Sequence, residues 1–353
     1  MEPFKGLLLA LTALFINTAA SYSAGMNVCL CSGDKKIVQS DMMIDSFRKE
    51  NEKRSNLLFE NRELEDLELR MISAPDMEYY IDLLEIGCTK GSVSNIVLDT
   101  HGNLIKIKKE LELYTALDSN GDMVGGSLRK ADAVFWPESK GVLARFSDKK
   151  IWVNIDFKDM DFKSYNFIVI NYAPTYMLEG RIRETFAKEK KEDKDKKESV
   201  SAEDTGGNFL IYIKQWNDQT WEYIGKIGPS SAGVRRMAVL FEENGFSAGK
   251  FRIELRSGNW ILDSIYLASG DALAIKKNGG VKLPDSLLRD DGNYLHLESG
   301  ESRQFDFRGR NNEICLLGMK GYYLLKDAKK DIPKSVDDII NKFLSRIKFW
   351  ERS

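Results

Sequence analysis

Residues 250–269, KFRIELRSGNWILDSIYLAS, constrain the fold more than any other stretch of the chain. Phe251, Ile253 and Leu255 alternate with Arg252, Glu254 and Arg256, the period of a strand with one buried face. Ser257, Gly258 and Asn259 supply a turn, because glycine and asparagine tolerate positive φ. From Trp260 to Leu267 the chain is again rich in β-formers, so the stretch predicts strand, tight turn, strand. Residues 67–86 repeat the unit. Leu67-Glu68-Leu69-Arg70 matches Ile253-Glu254-Leu255-Arg256, and Tyr80-Ile81-Asp82 matches Ile261-Leu262-Asp263. Such a repeat predicts two related β-units.

The rest of the chain fits around these two units. Residues 1–23 read as a signal peptide, with the apolar run GLLLALTALFI at 6–16 followed by small residues. Residues 24–61 are polar and are expected to be irregular, with a short helix over 46–58. A first β-unit spans 62–130, and a second sandwich unit spans 131–276. The second unit is interrupted at 187–207 by an insertion opening with KEKKEDKDKKE, whose mixed charge and lack of apolar residues predict a solvated loop. Residues 277–330 read as a β meander. A helix closes the chain over 331–353, where Ser335 can cap it and Val336, Ile339, Ile340, Phe343, Leu344, Ile347 and Trp350 form one apolar stripe. The count of strands against helices predicts an all-β fold of the β-sandwich class.

Composition removes several functions. The 353 residues carry 52 basic and 54 acidic side chains, a net charge of −2, which gives no electrostatic reason for a nucleic-acid partner. Only His101 and His296 are present, too few for a histidine-rich metal centre. No glycine-rich phosphate loop follows a strand and opens a helix. The leader points to an extracytoplasmic protein, secreted, periplasmic or at the cell surface. A membrane would be met only through an uncleaved leader or the C-terminal helix. Export would let the four cysteines, Cys29, Cys31, Cys88 and Cys315, form disulfides, and four cysteines allow three pairings.

Two sets of residues are candidates for binding. Asp82 and Asp263 fall among apolar residues that should be buried, and a buried carboxylate needs hydrogen bonds or a cation. Backbone N–H groups of a neighbouring loop would satisfy them, and calcium is the cation they could otherwise take. Trp216, Trp221, Tyr223 and Trp260 could form an aromatic platform for a sugar ring or pack in the core. Asn217-Asp218-Gln219 predicts a hairpin joining Trp216 to Trp221. The run 118–122, DSNGD, has acids at alternate positions but its glycine is misplaced for a calcium loop, so it predicts a turn. No residue pattern assigns a catalytic group, although paired carboxylates for glycoside cleavage have no sequence spacing by which to find them.

Several local patterns together resemble a segment of exported bacterial proteins that carry FG-GAP/VCBS propeller repeats or tetratricopeptide repeats. The matching pieces are residues 79–85, 114–122, 252–255 with 260–265, and 291–294 through 299–301 to 321–323, in that order. The repeats themselves are absent and the charged insertion is extra. The resemblance implies a galactose-binding-like jelly-roll sandwich outside the cytoplasm, with no catalytic residues to carry over. The combined expectation is a secreted, non-enzymatic binding or assembly module that takes a glycan or a protein partner through edge loops. The alternatives are a carbohydrate-active hydrolase with two carboxylates, or an envelope component docked by the C-terminal helix.

Overall fold

The computed structural model describes residues 26–32, 35–42, 53–61, 65–73, 77–92, 94–132, 134–137, 149–158, 162–175, 178, 181, 209–228, 235–241, 249–277, 283–309 and 313–325. Nineteen strands among them form three open sheets and one closed ring. Sheet I has the order β18-β4-β1-β2, from Ser302–Gly309, Glu65–Ile72, Met26–Ser32 and Lys35–Met42. Sheet II has the order β16-β5-β19-β3, from Lys276–Lys277, Met77–Lys90, Glu313–Leu325 and Lys53–Asn61, and β17 (Leu295–Leu297) also pairs with β5. The ring is β10-β13-β6-β7-β15, from Phe167–Pro174, Arg235–Leu240, Ile96–Asp99, Leu104–Glu112 and Trp260–Leu273. Sheet III has the order β12-β11-β14-β9-β8, from Trp221–Ile227, Ile211–Trp216, Lys250–Arg256, Lys150–Asp156 and Thr115–Asp118. A four-residue helix, α1 (Gly125–Leu128), follows β8.

The ring explains why Phe167 to Ile170 are apolar on both faces. Phe167 and Val169 point into it with Val97, Ile105, Ile107, Ala238, Tyr266 and Ala268, so every strand of the ring contributes to the interior. Ile168 and Ile170 point the other way and join the main core. There they share a layer with Val153, Ile155, Ile211, Ile213, Phe251, Ile253 and Leu255 from sheet III. A strand buried on both sides has no polar face to alternate.

The sheets divide the chain into its two ends and its middle. Sheets I and II draw on residues before 91 and after 275, and the ring and sheet III on the residues between. Ile96, Leu98 and Leu104 of the ring meet Ile314 and Leu316 of β19, so apolar contact joins the two groups. Cys88 and Cys315 face each other across β5 and β19 and are disulfide-bonded, a link between positions 227 residues apart.

The structure corrects several expectations. Neither repeated unit is a hairpin. β4 pairs with β1 and β18, while β5 pairs with β16, β17 and β19. Likewise β14 pairs with β9 and β11, while β15 pairs with β7 and β10. In each unit the two strands belong to different sheets, which lets both bury an apolar face. What the units do share is a β-bulge at the matched aspartate. Lys320 pairs with Leu83 and Gly321 with Ile81, leaving Asp82 unopposed. Asn171 pairs with Ser264 and Tyr172 with Leu262, leaving Asp263 unopposed.

The span 24–61, expected to be irregular, contributes β1, β2 and β3. β2 and β3 are sheet edges, where pairing on one side sets the backbone and charged residues are tolerated, so their sequences lack an apolar period. The short helix expected over 46–58 gives way to β3 from Lys53 onward. The jelly-roll sandwich is also overturned. The fold is nearly all β, but it contains a closed ring with a parallel β13–β6 pair, and no helix of seven or more residues exists among the described residues. That content also rules out kinship with tetratricopeptide repeats, which are stacked helix pairs. The leader at 1–23, the insertion at 187–207 and the helix expected from Ser335 lie outside the described residues.

Candidate functional site

Three strands of sheet III turn their even-numbered residues away from the core. On β9 these are Lys150, Trp152 and Asn154; on β11, Tyr212, Lys214 and Trp216; on β14, Arg252, Glu254 and Arg256. Strand register sets them in rungs. Trp152, Glu254 and Tyr212 are direct neighbours, as are Asn154, Arg252 and Lys214, and Tyr223 of β12 completes the second rung beside Lys214. Trp216 stands opposite Trp221 at the end of the β11–β12 hairpin. The hairpin turn is held by Asn217, whose side-chain oxygen accepts the N–H of Gln219 at 3.1 Å and of Thr220 at 2.7 Å.

The rings and cations on this face touch one another. Trp216 and Trp221 have centroids 5.2 Å apart with planes tilted by 59°. Arg252 lies over Trp221 and beside Trp152, its guanidinium carbon 4.3 and 5.5 Å from the two ring centres. Tyr212 and Tyr223 meet edge to face at 6.4 Å, and Tyr223 is 56 % exposed. Desolvation raises the Tyr223 hydroxyl's pKa, with a further push from Tyr212, so the ring stays neutral. A hollow of about 480 Å³ opens here, lined by Lys150, Tyr212, Lys214, Tyr223, Glu254 and Arg256.

Glu254 is the electrostatic centre of the hollow. Its side chain is 7 % exposed, and each carboxylate oxygen takes one ammonium: Lys150 on Oε2 and Lys214 on Oε1, both at 2.9 Å. Burial pushes its pKa up, and the two lysines more than offset that, holding the carboxyl below its usual value. It is therefore an ionised anchor for two cations, which is the opposite of a general acid.

Of the four aromatic candidates, the structure brings together Trp216, Trp221 and Tyr223 and places Trp260 elsewhere. Trp260 is 0 % exposed in the core, edge-on to Tyr172 at 5.6 Å. Asp82 and Asp263 are both buried but sit on different strands, β5 and β15. Asp82 is 1 % exposed and accepts the N–H groups of Gly292 at 2.9 Å and Asp291 at 3.3 Å. A side-chain hydrogen bond joins it to Asp290, which in turn grips Lys320 Nζ at 2.5 and 2.6 Å. Desolvation first, and the Asp290 carboxylate next, raise the Asp82 pKa, while Lys320 lowers that of Asp290. This close acid pair is a latch that fastens the 290–293 loop to β5. Its neighbouring positive charge is supplied by Lys320. Among the described residues no group of three or more His, Cys, Asp or Glu side chains converges.

A second aromatic cluster lies on sheet II. Tyr80 is stacked between Tyr322 at 4.7 Å and His296 at 4.6 Å, and His296 Nε2 is 3.7 Å from Glu78. Both faces of Tyr80 are covered, so this stack holds β17 and β19 to β5. Cys29 and Cys31 lie on β1, with side chains outside the described residues.

The outward face of sheet III could be read from sequence only in part. The Trp216–Trp221 hairpin was marked by its turn residues. Nothing in the sequence draws Glu254, Lys150, Lys214, Trp152 and Arg252 together, because they come from three strands whose neighbour order the sequence does not print. Their alternation with buried residues within each strand was the available signal. No protein-family model, no curated protein and no solved structure matches the chain.

Proposed function

We propose that the protein is a non-catalytic, extracytoplasmic binding module that takes a glycan on the outward face of sheet III. The supporting observation is the gathering of Trp216, Trp221 and Tyr223 on one partly exposed sheet face, with charged side chains beside them. Flat aromatic rings offer large contact area at low entropic cost and suit the C–H faces of a pyranose. The nearby ammonium and guanidinium groups supply directional donors for hydroxyl or carboxylate oxygens. The apolar N-terminal run and the Cys88–Cys315 disulfide favour a location outside the cytoplasm. The binding surface is a sheet face and not the edge loops.

The test is an oligosaccharide array probed with the full chain and with Trp216→Ala and Tyr223→Ala variants. The expected result is binding to a restricted set of glycans that falls at least about tenfold in both variants, as for a central aromatic contact. Binding unaffected by either substitution would contradict the assignment.

A further inference from the structure

We propose that the hollow on sheet III selects acidic sugars, with the carboxylate of a uronate or sialate residue bound between Lys150 and Lys214. This rests on the glycan-binding reading and adds a ligand class to it. The argument is one of charge and unused donors. Two ammonium groups are held against a single carboxylate, one on each oxygen of Glu254. Each ammonium has three N–H donors and spends one on Glu254. The trio carries one excess positive charge, and the Arg256 guanidinium lines the same hollow. Arg252 stands on the next rung, directly beside Lys214.

Glu254 is almost wholly buried, whereas the Lys150 side chain is 63 % and the Lys214 side chain 28 % exposed, so the trio opens to solvent chiefly through Lys150 and not through its acid. A buried acid that fixes two cations preorganises them for a second carboxylate, which reduces the ordering cost of binding. Charge-assisted hydrogen bonds of this kind are roughly twice as strong as neutral ones. The hollow's aromatic wall, Tyr212 and Tyr223, distinguishes a sugar acid from an acidic peptide. A pyranose ring lying on Tyr223 brings its C–H face to the aromatic and its carboxylate to the lysines. A glutamate side chain has the carboxylate alone.

The experiment is isothermal titration of the full chain against matched pairs: glucuronate oligomers with glucose oligomers, and sialyllactose with lactose. Polyglutamate is the third probe. The expected result is at least one acidic sugar bound about tenfold or more tighter than its neutral partner. That preference should shrink as salt rises from 50 to about 500 mM, as screening of partly exposed charges requires. Lys150→Gln should reduce acidic-sugar affinity about tenfold, as loss of one charge-assisted bond predicts, and neutral-sugar affinity by a smaller factor, so that the acidic-to-neutral preference shrinks. Because Lys150 is exposed and Lys214 still pairs with Glu254, this variant keeps the fold. Lys214→Gln/Glu254→Gln, which removes one charge of each sign, should weaken the acidic sugar less than Lys150→Gln/Lys214→Gln does. Equal binding of neutral and acidic partners, still lost in Trp216→Ala, would overturn the acid preference and leave the glycan reading standing. Binding of polyglutamate as tight as any sugar, unaffected by Trp216→Ala, would overturn both. So would the absence of binding by every sugar probe.

Discussion

Arg252 holds its guanidinium 4.3 Å from the centre of the Trp221 ring and donates from Nε to Asn154 at 2.8 Å. This contact ties β14 to the β11–β12 hairpin from outside, across β11. A cation over an indole that is partly exposed contributes about 0.5–1 kcal/mol. Arg252→Ala should lower unfolding free energy by roughly 1 kcal/mol in urea titration and shift the fluorescence of Trp221 toward that of a solvated indole. Arg252→Lys should recover little of it, because an ammonium lacks the planar fork that spans ring and amide. An unchanged emission spectrum in Arg252→Ala would show that the contact does not hold the ring.

Asp82 gives a pH dependence with a definite sign. Its pKa is raised from the ordinary 3.8, so above that value the native state binds more protons than the unfolded chain. Stability from this group is full below 3.8 and is lost as pH rises through the raised value. Asp290 acts oppositely: its pKa is lowered, and its contribution fades as pH falls below 3.8. Asp82→Asn keeps an oxygen to accept the Gly292 N–H and cannot ionise. Urea unfolding from pH 4 to 7 should therefore show a smaller decline in the variant than in the parent, and the variant should be the more stable at pH 7. A parallel pair of curves would refute the shift.

The Cys88–Cys315 bond closes a loop that contains the whole ring and sheet III. Chain-entropy reasoning gives long loops the larger stabilisation, about 2–5 kcal/mol when a native bond is removed. Cys88→Ala/Cys315→Ala should melt well below the parent, and added reductant should move the parent toward the variant. A variant that melts with the oxidised parent would show that the β5–β19 ladder suffices alone.

Gly321 lies beside the Asp82 bulge, and a Cβ there would overlap the carbonyl oxygen of Tyr80. Backbone cannot swing aside as a side chain can. Gly321→Ala should cost about 3 kcal/mol, at the upper end of overpacking effects. Gly126, with nothing within 4 Å of its ideal Cβ, is the control and should accept alanine within about 0.5 kcal/mol. Similar melting temperatures for the two variants would contradict the packing at the bulge.

Most strands were legible because their residues alternate, as in Phe251, Ile253 and Leu255, all buried in the structure. Their partners were not, because pairing β14 with β9 and β11 is a long-range choice. The repeat is legible as strand, turn, strand but its pairing is not, since a turn such as Ser257-Gly258-Asn259 serves equally to close a hairpin or to join two sheets. The bulge in β5 did leave a trace. Tyr79 and Ile81 are buried at odd positions, Leu84 and Ile86 at even ones, and Asp82 stands where the phase changes. Edge strands β2 and β3 left no comparable trace, because their polar sequences carry no buried period. At the candidate site the tryptophan hairpin was local and visible. The Lys150–Glu254–Lys214 trio needed three strands in register before it existed.

Hydrogen–deuterium exchange of the full chain tests the central claim most directly, with and without the tightest-binding sugar among the glucuronate, glucose, sialyllactose and lactose probes. Protection should rise in β9, β11, β12 and β14 and stay unchanged in β5, β17 and β19. Protection centred on the Tyr80 stack of sheet II, or no change in sheet III on saturation with the sugar, would contradict it.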